Sequence, residues 1–133
     1  MMSRVFFATG GTELTRSFDA TTPTNWYVCT VPDTTRTVNE FQTGNWSATF
    51  VFWATPTGQV DNFNAQTFVN QITSSNTRTP FFLIIPSQYE TYATQWQRET
   101  GASGYVIWNP NATPSEFISQ VRNILNQFNI EAA

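Results

Sequence analysis

Pro80-Phe81-Phe82-Leu83-Ile84-Ile85, an amphipathic segment carrying Tyr89, Tyr92, Ala93 and Trp96, then Gly101-Ala102-Ser103-Gly104-Tyr105-Val106-Ile107-Trp108, and finally Thr113-Pro114-Ser115-Glu116 leading into Phe128: this run decides the fold. The two apolar runs are short and rich in β-branched and aromatic residues, which predicts strands. Tyr89, Tyr92, Ala93 and Trp96 recur at helical spacing, which predicts a helix with its aromatics inward. The last segment carries its own start signal. Thr113 is placed to cap the helix, Pro114 fits its first position, and Glu116 stands three residues after the cap as in a capping box. Phe117, Ile118, Val121, Ile124, Leu125 and Phe128 then form one apolar face.

Working towards the N-terminus, the same alternation continues. Val5-Phe6-Phe7 predicts a first strand ending at Gly10-Gly11, Tyr27 to Val31 a second, and Thr49-Phe50-Val51-Phe52-Trp53 a third, all three apolar on both faces as central strands of a parallel sheet are, with Phe81 to Ile85 and Tyr105 to Trp108 the fourth and fifth. Helical patterns lie over Thr34 to Phe41 and over Ala65, Phe68, Val69 and Ile72. Strands alternating with helices imply a parallel sheet with right-handed crossovers and helices on both faces. Five strands in 133 residues fit a flavodoxin-like α/β three-layer sandwich of strand order 2-1-3-4-5 in a single domain. Ligands in such folds bind at the carboxyl ends of the strands, which directs attention to Ala8, Thr9, Trp53, Ala54, Pro86, Ser87 and Trp108. The first crossover is the irregular one, because Thr12 to Phe18 is followed by Asp19-Ala20-Thr21-Thr22-Pro23-Thr24-Asn25, which cannot sustain a helix.

Composition closes off several kinds of chemistry. The chain has six Arg, no Lys, nine acids and a net charge of −3, so it lacks the basic surplus needed to hold a phosphate backbone, and no nucleic-acid partner is expected. Without any His there is no imidazole base or metal ligand, and the lone Cys29, inside Trp26-Tyr27-Val28-Cys29-Thr30-Val31, reads as a small buried hydrophobe. The nine acids show no paired spacing for acid–base catalysis, so no enzyme, cofactor or metal site is expected. No apolar run is long enough to span a bilayer and no signal-peptide pattern precedes Val5, so the expectation is a cytoplasmic protein without a membrane partner. Thr9-Gly10-Gly11-Thr12 reads as a tight turn ahead of a phosphate cradle, since it has neither a third glycine nor a Lys.

The order of elements from Trp46 through Phe128, with Gly101-Ala102-Ser103-Gly104-Tyr105-Val106 joining the fourth helix position to the fifth strand, resembles the response-regulator receiver (CheY-like) domains of two-component signal transduction. The resemblance implies an acidic pair after the first strand, a phosphoacceptor Asp after the third, a Thr or Ser after the fourth, and Lys-Pro after the fifth. This chain departs from that pattern at every one of those places. Ala8 and Thr9 stand for the acids, Ala54 (Trp53 if the register slips by one) for the phosphoacceptor, Pro86 for the Thr or Ser with Ser87 one place late, and Trp108-Asn109-Pro110 for the Lys-Pro pair. A divalent ion needs carboxylate oxygens and a phosphoryl group needs a carboxylate nucleophile, and these side chains supply neither. Asp61, the nearest remaining acid, lies several residues too late.

The expectation is therefore a degenerate pseudo-receiver, acting without phosphorylation as a protein–protein interaction module in a signalling or regulatory assembly. By the same resemblance its contact surface is the face built from the fourth helix, fifth strand and fifth helix, which here carries Glu90, Thr94, Arg98, Tyr105, Ile107 and Gln120, and it would hold a partner protein or a second copy. Two alternatives stand beside it. One is a small-ligand sensor using the vacated crevice near Thr9, Trp53, Ser87 and Trp108, where two indoles could stack on a planar molecule. The other is a structural assembly subunit, suggested by a chain with only 11% charged residues, whose surface must be built largely from Thr, Asn, Gln and Ser.

Overall fold

A computed structural model of the chain describes residues 3–75 and 79–131. Numbering only the strands of the main sheet, the order is β1 (Val5–Ala8), a 3-10 turn (Glu13–Ser17), β2 (Trp26–Cys29), α1 (Thr34–Phe41) and β3 (Ala48–Phe52). A small hairpin follows (Gln59–Val60 with Phe63–Asn64), then α2 (Ala65–Ser75), β4 (Phe81–Pro86), a second 3-10 segment (Ser87–Tyr92), α3 (Ala93–Thr100), β5 (Gly104–Trp108) and α4 (Pro114–Gln127). The main sheet is parallel throughout, in the order β2-β1-β3-β4-β5. This is the flavodoxin-like arrangement expected from the sequence.

Side chains alternate across a strand, so each central strand feeds two cores. Phe6, Ala8, Val51, Leu83 and Ile85 meet Val38 and Phe41 of α1, Phe68, Val69 and Ile72 of α2 and Trp96 of α3. Val5, Phe7, Phe50, Phe52, Phe82, Ile84, Val106 and Trp108 meet Leu14 and the apolar face of α4. Each fully buried Phe or Leu contributes about 2 kcal/mol from the transfer of apolar surface out of water. In α4 the capping arrangement is present, with the Thr113 hydroxyl accepting from the backbone N–H of Glu116 at 3.3 Å.

The first crossover is short, as the sequence required. Its helical part is one five-residue 3-10 turn, and the chain then folds back on its own side chains. The Asp19 carboxylate accepts from the Thr21 backbone N–H (2.9 Å) and hydroxyl (2.6 Å), and the Thr22 hydroxyl accepts from the Asp19 N–H (3.1 Å). Such local bonds compete with helix formation. Aromatic rings cover that part of the sheet instead. Phe18 meets Phe7 and Phe117 edge-on at 5.0 and 5.5 Å, and Trp26 tilts against Phe7 at 5.0 Å.

Three expectations are corrected. First, β2 runs from Trp26 to Cys29 and is an edge strand, not a strand buried on both faces. Tyr27 is exposed and Val28 half-buried. Among the described residues no strand pairs with its outer side, and the Tyr27 ring lies over Phe6 and beside Trp46 while its hydroxyl donates to Glu40 at the surface. Second, Tyr89 and Tyr92 do not share one inward helical face with Trp96. The backbone at Tyr89 is non-helical (φ −111°, ψ 16°) and α3 begins only at Ala93, which leaves Tyr92 49% exposed and stacked on the outer face of Trp96 at 5.5 Å. Third, Phe128 lies beyond the last turn of α4 and is 41% exposed, although its ring still touches Phe82 at 4.9 Å. Cys29 is buried as expected, and that burial pushes its thiol pKa up.

The Tyr27–Glu40 contact yields a measurable consequence. Donation to Glu40, followed by partial burial, raises the Tyr27 phenol to about 12. Its proton is held more tightly in the folded than in the unfolded chain, so this contribution to stability is whole below the ordinary phenol pKa of about 10 and is lost as pH rises through the folded value. An ultraviolet tyrosinate titration of the folded protein should contain a late component that Tyr27→Phe removes. A titration curve whose late component survives that substitution would contradict the contact.

Candidate functional site

The carboxyl ends of the strands are staggered, with β1 and β3 ending short of β4 and β5. Ala8 lies opposite Val51, Phe52 opposite Ile84, and Pro86 opposite Trp108. Above them a cleft of about 430 Å³ opens between the turn after β1, the loop after β3, the hairpin and the segment after β4. Phe52, Ala54, Val60, Pro86, Tyr89 and Trp108 give it an apolar lining, with Thr12, Glu13, Gln59 and Gln88 among the polar residues around it.

Each strand-end residue has a specific environment. Trp108 is buried, meets Phe52 edge-on at 5.9 Å, and donates its indole N–H to the Ser17 hydroxyl at 2.7 Å. Its one polar atom is therefore spent inside the protein, tying β5 to the 3-10 turn across the chain. Pro86 is the buried last residue of β4 and carries no hydroxyl. Ala54 is half-buried on the cleft wall. Thr9 is fully buried and turned towards β2, donating its hydroxyl to the Cys29 carbonyl at 2.7 Å and accepting from the Gly11 N–H at 3.2 Å.

The Gly10-Gly11 turn is filled by the protein itself. Both glycines have positive φ (65° and 69°), and a Cβ on either would meet Phe63 at 2.8 Å or Pro32 at 2.7 Å. The Thr12 N–H and hydroxyl both return to the Thr9 carbonyl. These groups close a turn and do not form an open cradle.

Glu13 is the single carboxylate lining the cleft, and it is exposed. A hard divalent cation needs several oxygen ligands to repay its dehydration. Among the described residues no group of three or more His, Cys, Asp or Glu side chains lies close enough to hold a metal ion. Asp61 sits at the tip of the hairpin with φ 51°, a turn residue away from the strand ends.

The pairing of two indoles around one planar ligand is corrected by the layering. Trp53 lies in the α1/α2/α3 layer with Phe63 and Phe68, whereas Trp108 lies in the α4 layer, so the sheet stands between the two rings. Ser87 is exposed at the start of the 3-10 segment, and neither it nor Thr9 lines the cleft. The hairpin, which brings Gln59 and Val60 to the cleft, was not expected, because Asp61-Asn62 lacks the Asn-Gly or Asp-Gly signature of a tight two-residue turn.

The second candidate surface lies at the β5 edge. Tyr105 and Ile107, both half-buried, line a shallow groove of about 360 Å³ with Gln120, Asn123, Ile124 and Gln127. Glu90, Thr94 and Arg98 are exposed on the α3 side and do not line that groove. The sequence-derived set therefore divides into a groove (Tyr105, Ile107, Gln120) and a separate rim (Glu90, Thr94, Arg98). Among the described residues β5 pairs with β4 alone, and its other edge runs beside the groove.

No family model matches the sequence, and no curated protein matches it. Solved structures do match in fold. The chemotaxis response regulator CheY4 of Vibrio cholerae is 15% identical with a TM-score of 0.64, over 94% of this chain and 100% of that one. The BeF3-activated DrrB receiver domain is 13% identical with a TM-score of 0.65, over 95% and 99%. NtrX from Brucella abortus, solved in complex with ADP, is 13% identical with a TM-score of 0.66 over 95% of this chain and 28% of its own. The chain has the fold of receiver domains. No helix among the described residues is long and apolar enough to cross a membrane.

The Trp108–Ser17 bond can be removed by one substitution. Ser17→Ala should destabilise the protein by about 1–3 kcal/mol in urea unfolding, because it strands a buried indole N–H without a partner. An unchanged midpoint would show that the bond does not hold the strand ends.

Proposed function

We propose that this receiver-fold domain is a pseudo-receiver: it works without phosphorylation, as an interaction module that presents the α3–β5–α4 face to a partner protein or to a second copy of itself. The observation that carries this reading is the lining of the strand-end cleft. Where the receiver pattern calls for an acid, a hydroxyl and an ammonium, the cleft offers Ala54, Pro86 and Trp108. Ala54 supplies no nucleophilic oxygen, and an indole already bonded to Ser17 cannot neutralise a developing phosphoryl charge. Pro86 has no hydroxyl to follow a phosphoryl group, so nothing at the end of β4 would relay such an event to Tyr105.

A surface that is not switched must be ready for its partner as it stands. Tyr105 and Ile107 are half-buried against the core, so little side-chain freedom remains to be lost on docking, and Arg98 is exposed nearby on the α3 side. Aromatic residues and Arg are the side chains enriched where binding energy concentrates. Few charges elsewhere on the surface leave little long-range repulsion against close approach. The alternative of a structural subunit differs only in that its partner is a further copy of the chain. The same experiment therefore bears on both.

Affinity capture from the native host and sedimentation of the purified protein should reveal an association that persists with and without acetyl phosphate. The double substitution Tyr105→Ser with Arg98→Glu should abolish it, and Arg16→Glu, on the 3-10 turn after β1, should leave it intact. An association that appears only after acetyl phosphate, or that survives the double substitution, would overturn the reading.

A further inference from the structure

On the layer away from Trp108, a second cavity of about 410 Å³ lies between the loop after β3, the start of α2 and the C-terminal half of α3. Trp53 and Trp96 are at its base, and Thr57, Thr67 and Glu99 are exposed around its mouth. Trp53 is only 1% exposed, yet its indole N–H has no hydrogen-bond partner. Buried donors are paired almost without exception, so an orphaned N–H on a cavity wall marks the place for an acceptor that comes from outside the chain. Gly58 packs closely on the same indole: Cζ2 and Cη2 of Trp53 lie 3.0 Å from where a Cβ at Gly58 would sit, so a side chain there would crowd the ring.

The groups around the cavity define the ligand's chemistry. At the base stands a neutral donor, which an ammonium group cannot satisfy because it has no lone pair to accept with. At the mouth stand acceptors: the Glu99 carboxylate and the Thr57 and Thr67 hydroxyls have no hydrogen-bond partner among the described residues. No Arg lines the cavity, so an anion would find no counter-charge. The threonine hydroxyls can donate as well as accept, so a molecule bearing several hydroxyls meets the inner N–H and the outer groups alike without setting a charge against the indoles, and its C–H faces suit the two rings.

We propose that this cavity binds a small neutral polyhydroxylated molecule of monosaccharide size, with Trp53 Nε1–H donating to an inner hydroxyl and Glu99 accepting from an outer one. The site is independent of the α3–β5–α4 groove, none of whose lining residues it shares. Its volume is within the ordinary range for small-molecule pockets.

The test is a ¹H–¹⁵N spectrum of the intact chain in which the Trp53 indole resonance is identified by its loss in Trp53→Phe. D-Xylose and D-glucose are the probes, with acetate as the anion control. Either sugar should move the Trp53 indole resonance saturably while leaving that of Trp108 in place. Glu99→Gln and Thr67→Val, both on the exposed mouth, should each weaken binding about tenfold, the usual cost of losing one hydrogen bond to a ligand. Thermal unfolding of the two variants without sugar checks that they remain folded. A resonance unmoved by both sugars means that the cavity holds water only and overturns the site. Acetate moving it as strongly as the sugars overturns the ligand class, and undiminished sugar binding in both variants overturns the placement.

Discussion

The interior strands of this sheet are buried on both faces, and every other feature of the molecule answers to that constraint. β1, β3 and β4 carry no exposed residue, so each face of the sheet has to be covered by something apolar over its whole length. Three helices meet the requirement on one side. On the other, α4 stands with only a 3-10 turn beside it, and the rings of Phe18 and Trp26 take the place that a longer first helix would fill. The tie between Ser17 and Trp108 belongs to the same solution, since it fastens the short crossover to the far edge strand.

That tie also governs what the strand ends can do. In a doubly wound sheet the carboxyl ends of the strands are where chemistry is placed, because loops converge there over a rigid base. Here the convergence is intact and the cleft exists, but its walls are carbon-rich and two polar side chains at the strand ends are committed elsewhere: Thr9 to the Cys29 carbonyl, Trp108 to Ser17. Site chemistry is a property of side chains and not of the fold that carries them. A receiver architecture with this lining keeps its shape and its outer faces, which is why the reading proposed above looks to the surface for function.

The sheet was legible because short continuous apolar runs separated by helical periods admit few other arrangements, and because Thr113-Pro114-Ser115-Glu116 announces its helix without ambiguity. The short first crossover was legible too, from the Thr- and Pro-containing stretch after Phe18. What escaped was set by tertiary context. The expected order 2-1-3-4-5 already made the strand of Tyr27 an outer one, and the apolar run around it obscured its exposure; whether Tyr92 faces inward depends on a backbone kink at Tyr89 that no residue type marks. The residues at the strand ends could be named from the sequence, but the layer into which each points could not. The assignment of Trp53 and Trp108 to one pocket failed there: a strand one residue longer or shorter sends a side chain to the opposite face. The orphaned N–H of Trp53 is likewise a property of its surroundings and has no signature in the sequence.

The central claim is chemical, and intact-mass spectrometry tests it most directly. After incubation with acetyl phosphate and Mg²⁺ the protein should retain its unmodified mass, at every concentration at which a receiver with a complete acidic site is phosphorylated. A species heavier by one phosphoryl group, lost again on treatment at alkaline pH as an acyl phosphate is, would contradict the account.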